Sequence, residues 1–134
     1  MSTFIVGVDG SEGAHRAATF AAERAAAQGA KLVLVHVVEW SPHETYDVSQ
    51  LVERHSEREK EIARAQKEIL EPLLQELARD GLEIDSVVRH GHPAETLCTV
   101  AGEVGADQIF TGRRGCSKLE ALLFGSVASS LVQI

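Results

Sequence analysis

The stretch GRRGCSKLEALLFGS, residues 112 to 126, sets two glycines three positions apart, leaves nine residues, and closes on Gly125-Ser126. Glycine after a strand lets successive backbone amides converge on an anion with no Cβ in the way. A glycine-serine pair opening a helix adds unsatisfied amides, the positive end of the helix dipole and a hydroxyl donor. Arg113, Arg114 and Lys118 gather positive charge beside the first pair, in a chain with 13 basic against 20 acidic residues. The chemistry this suits is polyphosphate binding, with Gly112 to Gly115 on one side and Gly125, Ser126 on the other. Taken alone, GRRG reads more readily as a turn followed by a solvated basic patch. GxxxxGK[ST] is absent and GVDGSEGAH does not fit GxGxxG, which argues against a P-loop NTPase and a dinucleotide-dependent dehydrogenase.

The elements that must position these residues follow from pattern. Phe4 to Val8 is a β-rich run leading into Asp9-Gly10-Ser11, a turn and cap signal. Alanines at 14, 17, 18, 21 and 25 predict a helix from Glu12 to about Gln28 whose small-residue face lies close to a sheet, with Gly29 ending it. KLVLVHVVE is apolar on consecutive positions, as in a strand covered on both faces. Trp40 to about Gln50 reads as a loop, and about Leu51 to Asp80 as a helix that Pro72 kinks or restarts. IDSVVRHG predicts a third strand, Pro93 to about Val104 a further helix, and Asp107 to Thr111 a fourth strand running into Gly112.

Strands alternating with helices through short connections predict a single α/β domain over residues 1 to 134, an open, doubly wound parallel sheet with helices on both faces. GSVASSLVQI reads as a final helix, so a fifth strand is expected to be missing. In such a sheet ligands bind beyond the carboxyl ends of the strands where the strand order reverses, which singles out Asp9 after the first strand and Gly112 to Gly115 after the fourth.

The composition, 44% hydrophobic and 25% charged, is that of a folded globular chain. A formal charge of -7 repels nucleic acid and anionic membrane, so neither is an expected partner. No membrane span or secretory signal is readable, and a cytoplasmic location is expected. Cys98 and Cys116 are too far apart for a CxxC pair and are read as reduced thiols, Cys116 being the more open to reactivity through Arg114 and Lys118.

IVGVDGS, LVLVHVVE, GHPAETL and GADQIFTGRRG...GSVA, in this order along essentially the whole chain, resemble the universal stress protein family, and the G-x2-G-x9-G-S spacing resembles the motif of its ATP-binding branch. The resemblance implies strand order 3-2-1-4-5, a homodimer, and an adenine nucleotide (ATP, ADP or AMP) at the strand ends in a stress-response role. It implies that Asp9 accepts from the ribose, that Gly7 and Val8 line the adenosine side, and that Val37 meets the adenine edge through its backbone. Gly112 and Gly115 would lie against ribose and phosphates, and Gly125, Ser126 and Val127 would offer amides and a hydroxyl to the phosphate tail. Any Mg would ride mainly on phosphates, with no protein ligand assigned. Thr111 stands where the family often has methionine, a change in packing below the nucleotide.

Other readings of the same residues are weaker. His90-Gly91-His92 has no third metal ligand nearby in sequence, and His36 reads as a hydrogen-bonded core residue. A phosphoacceptor receiver domain needs further acids beside Asp9 and a lysine after a fifth strand. Asp9 has a second reading as a helix cap. A slow ATPase or autophosphorylating enzyme on the same site is the alternative to a regulatory binding module, although no positioned general base is readable, since Glu120 falls in the intervening helix. No catalytic residue is assigned.

Overall fold

The computed structural model describes residues 2–39, 48–112 and 131–133. Their elements run β1 (Thr3–Gly7), α1 (Glu12–Gln28), β2 (Lys31–Glu39), α2 (Val48–Ala65), a π-helical turn (Gln66–Leu70), α3 (Glu71–Leu77), β3 (Glu83–Gly91), α4 (Pro93–Val104), β4 (Gln108–Thr111) and β5 (Leu131–Gln133). The strands form one sheet in the order β3-β2-β1-β4-β5, and every pairing is parallel.

The fifth strand corrects the expectation of its absence. Ile109, Phe110 and Thr111 pair with Leu131, Val132 and Gln133. Three residues give too short a run for alternation to separate strand from helix, and the register comes from the exposed edge of β4.

The sheet is covered on both faces, which is why its central strands are apolar at consecutive positions. Phe4, Val6, Val8, Leu32, Leu34 and Phe110 meet the alanine face of α1 together with Leu70, Leu73 and Leu77. Ala17, Ala18, Ala21, Ala22 and Ala25 on that face are fully buried, so the helix axis approaches the sheet without large side chains between. Phe110 fills the remaining depth, its ring 5.4 Å from that of Phe4 and 6.0 Å from that of Phe20. On the opposite face Ile5, Val33, Val35 and Ile109 meet Leu97, Val100 and Ala101 of α4.

The long helix expected over residues 51 to 80 is interrupted, for the reason Pro72 gives. A proline inside a helix lacks the N–H and its ring presses on the carbonyl four residues back. Here the turn before it widens into a π turn, in which Glu71 N–H bonds the carbonyl of Gln66, and α3 restarts with proline in its first turn. β4 begins at Gln108 because Asp107 is engaged elsewhere: its amide donates to Thr3 O at 2.7 Å and its carboxylate accepts from Thr3 N–H at 2.8 Å. That clasp fixes the amino ends of β1 and β4 side by side, opposite the end where candidate site residues gather. Among the described residues no helix is long and apolar enough to cross a membrane.

Candidate functional site

Connections step from β1 to β2 to β3 in one direction and then return to β4 on the far side of β1. The reversal lies between β1 and β4, and the crevice beyond their carboxyl ends is where such a sheet takes ligands. Val6 pairs with Phe110, so Gly7, Val8 and Asp9 leave the sheet beside Thr111 and Gly112. Gly7 pairs with Val35, two residues before Val37 on β2. Six of the expected site residues are thus brought to one end of three neighbouring strands. Arg113, Arg114, Gly115, Lys118, Gly125, Ser126 and Val127 lie outside the described residues.

Asp9 and Ser11 divide the work at the start of α1. Ser11 is the N-cap, its backbone extended and its Oγ accepting from Ala14 N–H at 3.2 Å. Asp9 stands two residues ahead and accepts from Ser11 N–H at 2.9 Å, so it braces the turn rather than capping the helix. Gly10 between them has φ 84°, in the left-handed region that a side chain disfavours. Burial alone would raise the Asp9 carboxyl; hydrogen bonds from the Ser11 hydroxyl and N–H and from the Asp9 N–H, with a smaller electrostatic contribution from His36, outweigh it and hold the carboxyl below its usual value. Asp9 is therefore an exposed, ionised acceptor at the strand end, the form a pair of ribose hydroxyls would need.

Gly112 owes its identity to a contact that spacing did not reveal. A Cβ there would lie 3.3 Å from the carbonyl carbon and oxygen of Gly13 and 3.6 Å from Ala14 N, all backbone of the first turn of α1. The end of β4 is thereby pressed against the amino end of α1. Gly7 is likewise confined on the other face, where a Cβ would lie 3.3 Å from Leu97 Cδ2 of α4. Val8 turns its side chain into the core at 4% exposure and leaves only its backbone at the site. Thr111 is buried, and its hydroxyl donates to the Gly112 carbonyl at 3.2 Å. The position is thus filled by a small side chain that satisfies its own polar group.

His36, expected to be a hydrogen-bonded core residue, makes the hydrogen bond but stands at the edge of the core. It is only half-buried, and its Nδ1 lies 2.7 Å from the Val8 carbonyl oxygen. An oxygen of this kind only accepts, so Nδ1 carries the hydrogen. The signal available was position: a polar side chain in an otherwise apolar strand, one residue before Val37. Beside this loop a cleft of about 180 Å³ runs between α1 and the π turn with α3, lined in part by Val8, Gly10, Ala14, Ile69 and Leu73. At its margin His15 Nε2 lies 2.9 Å from both carboxylate oxygens of Glu76, tying α1 to α3.

The model of the universal stress protein family matches residues 1–134. The chain belongs to the universal stress protein family. It is 28% identical to universal stress protein YxiE of Bacillus subtilis over 97% of this chain and 90% of the relative. It is 31% identical, over the same shares, to a universal stress protein of Thermus aquaticus encoded in the QAH/OAS sulfhydrylase 3' region. Among solved structures, a universal stress protein in complex with cAMP matches at TM-score 0.56, 24% identity and coverage of 99% and 96% of the two chains. The universal stress protein from Archaeoglobus fulgidus in complex with dAMP matches at TM-score 0.61, 19% identity and coverage of 100% and 98%. At these identities the structural likeness establishes the fold, a universal stress protein sheet with order β3-β2-β1-β4-β5.

Proposed function

We propose that this universal stress protein binds an adenine nucleotide, ATP in the first instance, at the carboxyl ends of β1, β2 and β4, and acts as a regulatory module whose occupancy reports nucleotide state under stress. The observation that carries the reading is the convergence of the ionised Asp9 carboxylate and the backbone of Val37 and Gly112 at one strand-order reversal. Asp9 takes the ribose hydroxyls, Val37 the base edge, and the sugar-phosphate passes the backbone of Gly112, which α1 holds in place. Arg113, Arg114, Gly115, Lys118, Gly125, Ser126 and Val127 follow in the chain and supply charge, amides and the Ser126 hydroxyl to the phosphates, with any Mg held mainly by the phosphates. Two fold relatives in complex with cAMP and dAMP support an adenine mononucleotide unit as the common ligand. The assembly we propose is the homodimer.

The test is to purify the protein, identify any co-purifying nucleotide, and follow melting temperature against ATP concentration. A ligand that binds only the folded state raises the melting temperature once it exceeds its dissociation constant. No rise at millimolar ATP overturns the reading. Chromatography of nucleotide held for hours separates a sensor, which returns ATP intact, from a slow hydrolase or autophosphorylating enzyme, which yields ADP or phosphoprotein. Gly115→Val and Gly125→Val are expected to abolish ATP binding while the fold survives.

A further inference from the structure

In a parallel ladder a strand's N–H and C=O groups point in turn to its two neighbours, so that alternate residues of β2 face β1. Val8 N–H donates to Val35 O at 2.8 Å, which assigns the backbone groups of Val35, and therefore those of Val37, to the β1 side. The rung that should follow is Val37 N–H to Val8 O. It is not formed: the β1–β2 register ends at Gly7 and Val35, and the Val8 oxygen is taken by His36 Nδ1 at 2.7 Å. Both polar groups of the Val8 residue are thus tied to consecutive residues of β2, one through backbone and one through a side chain. The imidazole also fixes the plane of the Val8–Asp9 peptide, from which the Asp9 carboxylate departs.

We propose that His36 is a positioning residue that holds the β1–β2 ladder open by one rung, so that Val37 N–H and C=O remain available beyond the end of β1 to read the edge of a bound base. The proposal rests on the nucleotide reading above for the identity of the ligand. A peptide N–H beside a C=O matches adenine, which presents an acceptor ring nitrogen next to an amino donor, and mismatches guanine, which presents the reverse pair. Because Nδ1 donates in both the neutral and the protonated imidazole, the clamp persists in either state.

The experiment compares the wild-type chain with His36→Asn, whose amide nitrogen sits near the position of Nδ1, and with the donor-free His36→Leu and His36→Phe, run in parallel so that one donor-free chain reaches the measurement. Calorimetry with ATP and with GTP is combined with residue-resolved amide exchange at Val37. In the donor-free chains Val37 N–H closes onto Val8 O. Its exchange slows by about tenfold or more, ATP affinity falls by about tenfold, the scale of one hydrogen bond, and the preference for ATP over GTP collapses toward parity. His36→Asn retains the wild-type pattern. Donor-free variants that keep the ATP preference and the wild-type exchange rate overturn the proposal, as does His36→Asn behaving like His36→Leu. A wild-type chain that binds neither nucleotide sinks the nucleotide reading and the base-reading role with it, and the exchange comparison then decides separately whether His36 holds the rung open.

Discussion

Gly112 and Gly13 touch backbone to backbone: a methyl group on Gly112 would stand 3.3 Å from both the carbonyl carbon and the carbonyl oxygen of Gly13. The carboxyl end of β4 and the first turn of α1 are therefore locked in position, and the loop after β4 starts from a fixed point beside Asp9. Gly112→Ala must push one backbone away from the other, an overpacking cost of about 1–3 kcal/mol, and should weaken ATP binding along with stability. Gly13→Ala is the matched control. Its Cβ would find only the flexible Arg16 guanidinium at 3.9 Å, so exchanging glycine for alanine within the helix should be neutral or stabilising by up to about 1 kcal/mol. Denaturant melts of the two variants check the pair, and equal effects would refute the backbone contact.

Ser11→Ala removes the N-cap acceptor of Ala14 N–H. The expected loss is about 1 kcal/mol, equivalent to a fall of about 4 °C in melting temperature for a domain of this size. Ser11→Asp keeps an acceptor at the helix start but sets a second carboxylate beside Asp9, so it should restore the helix less fully than Ser11→Thr. Circular dichroism melts rank the three; a Ser11→Thr melt as low as that of Ser11→Ala would show the cap to be unimportant.

Phe110→Ala should be the most damaging single change in this set. The ring is fully buried and contacts the rings of both Phe4 and Phe20, so truncation leaves a cavity between the sheet and α1 that alanine-rich packing cannot close. A cost of about 3–5 kcal/mol is expected. By contrast Glu76→Ala breaks a hydrogen-bonded contact with His15 whose partners are about half-exposed, and should cost less than about 1 kcal/mol. Urea titration of both variants checks the ordering, and a Glu76→Ala loss matching that of Phe110→Ala would contradict it.

The residues that were legible in the sequence are those whose pattern repeats. The alanine stripe of α1 and the unbroken apolar run of β2 each carry enough periods to identify a buried helix face and a doubly covered strand, and Pro72 announces the change of helical pitch before it. The placement of Asp9 and Gly112 at neighbouring strand ends was legible because both follow strands that flank the reversal of strand order. What escaped depends on contacts across the sheet. β5 is three residues long and draws its conformation from β4, so no local signal marks it. His36 looked like a core histidine because its neighbours in sequence are apolar; only the register of β1 against β2 reveals that the Val8 carbonyl waits at its ring. The spacing assigned glycine at position 112 to the approach of a phosphate, and what approaches it closely in the fold is the backbone of α1.

The Asp9 carboxyl provides a probe of the loop that needs no ligand. Burial raises its proton affinity, while hydrogen bonds from the Ser11 hydroxyl, which Ser11→Ala removes, from the Ser11 N–H and from the Asp9 N–H, and least of all electrostatic attraction to His36, lower it, and the lowering wins. A depressed carboxyl pKa means the fold favours the ionised form, so its contribution to stability is present above the titration point of an unfolded aspartate and is lost as pH falls through the lower folded value. The carboxylate is therefore ionised throughout the neutral range, and any weakening of nucleotide binding through its protonation is confined to acid pH. Carboxyl-carbon NMR should find Asp9 titrating below an ordinary aspartate in the wild-type chain. In Ser11→Ala the midpoint should move up, and in His36→Leu it should move up by less, following the order of their influences. A wild-type midpoint at or above the ordinary value, or a Ser11→Ala midpoint that does not move, would show that the loop does not hold Asp9 as described.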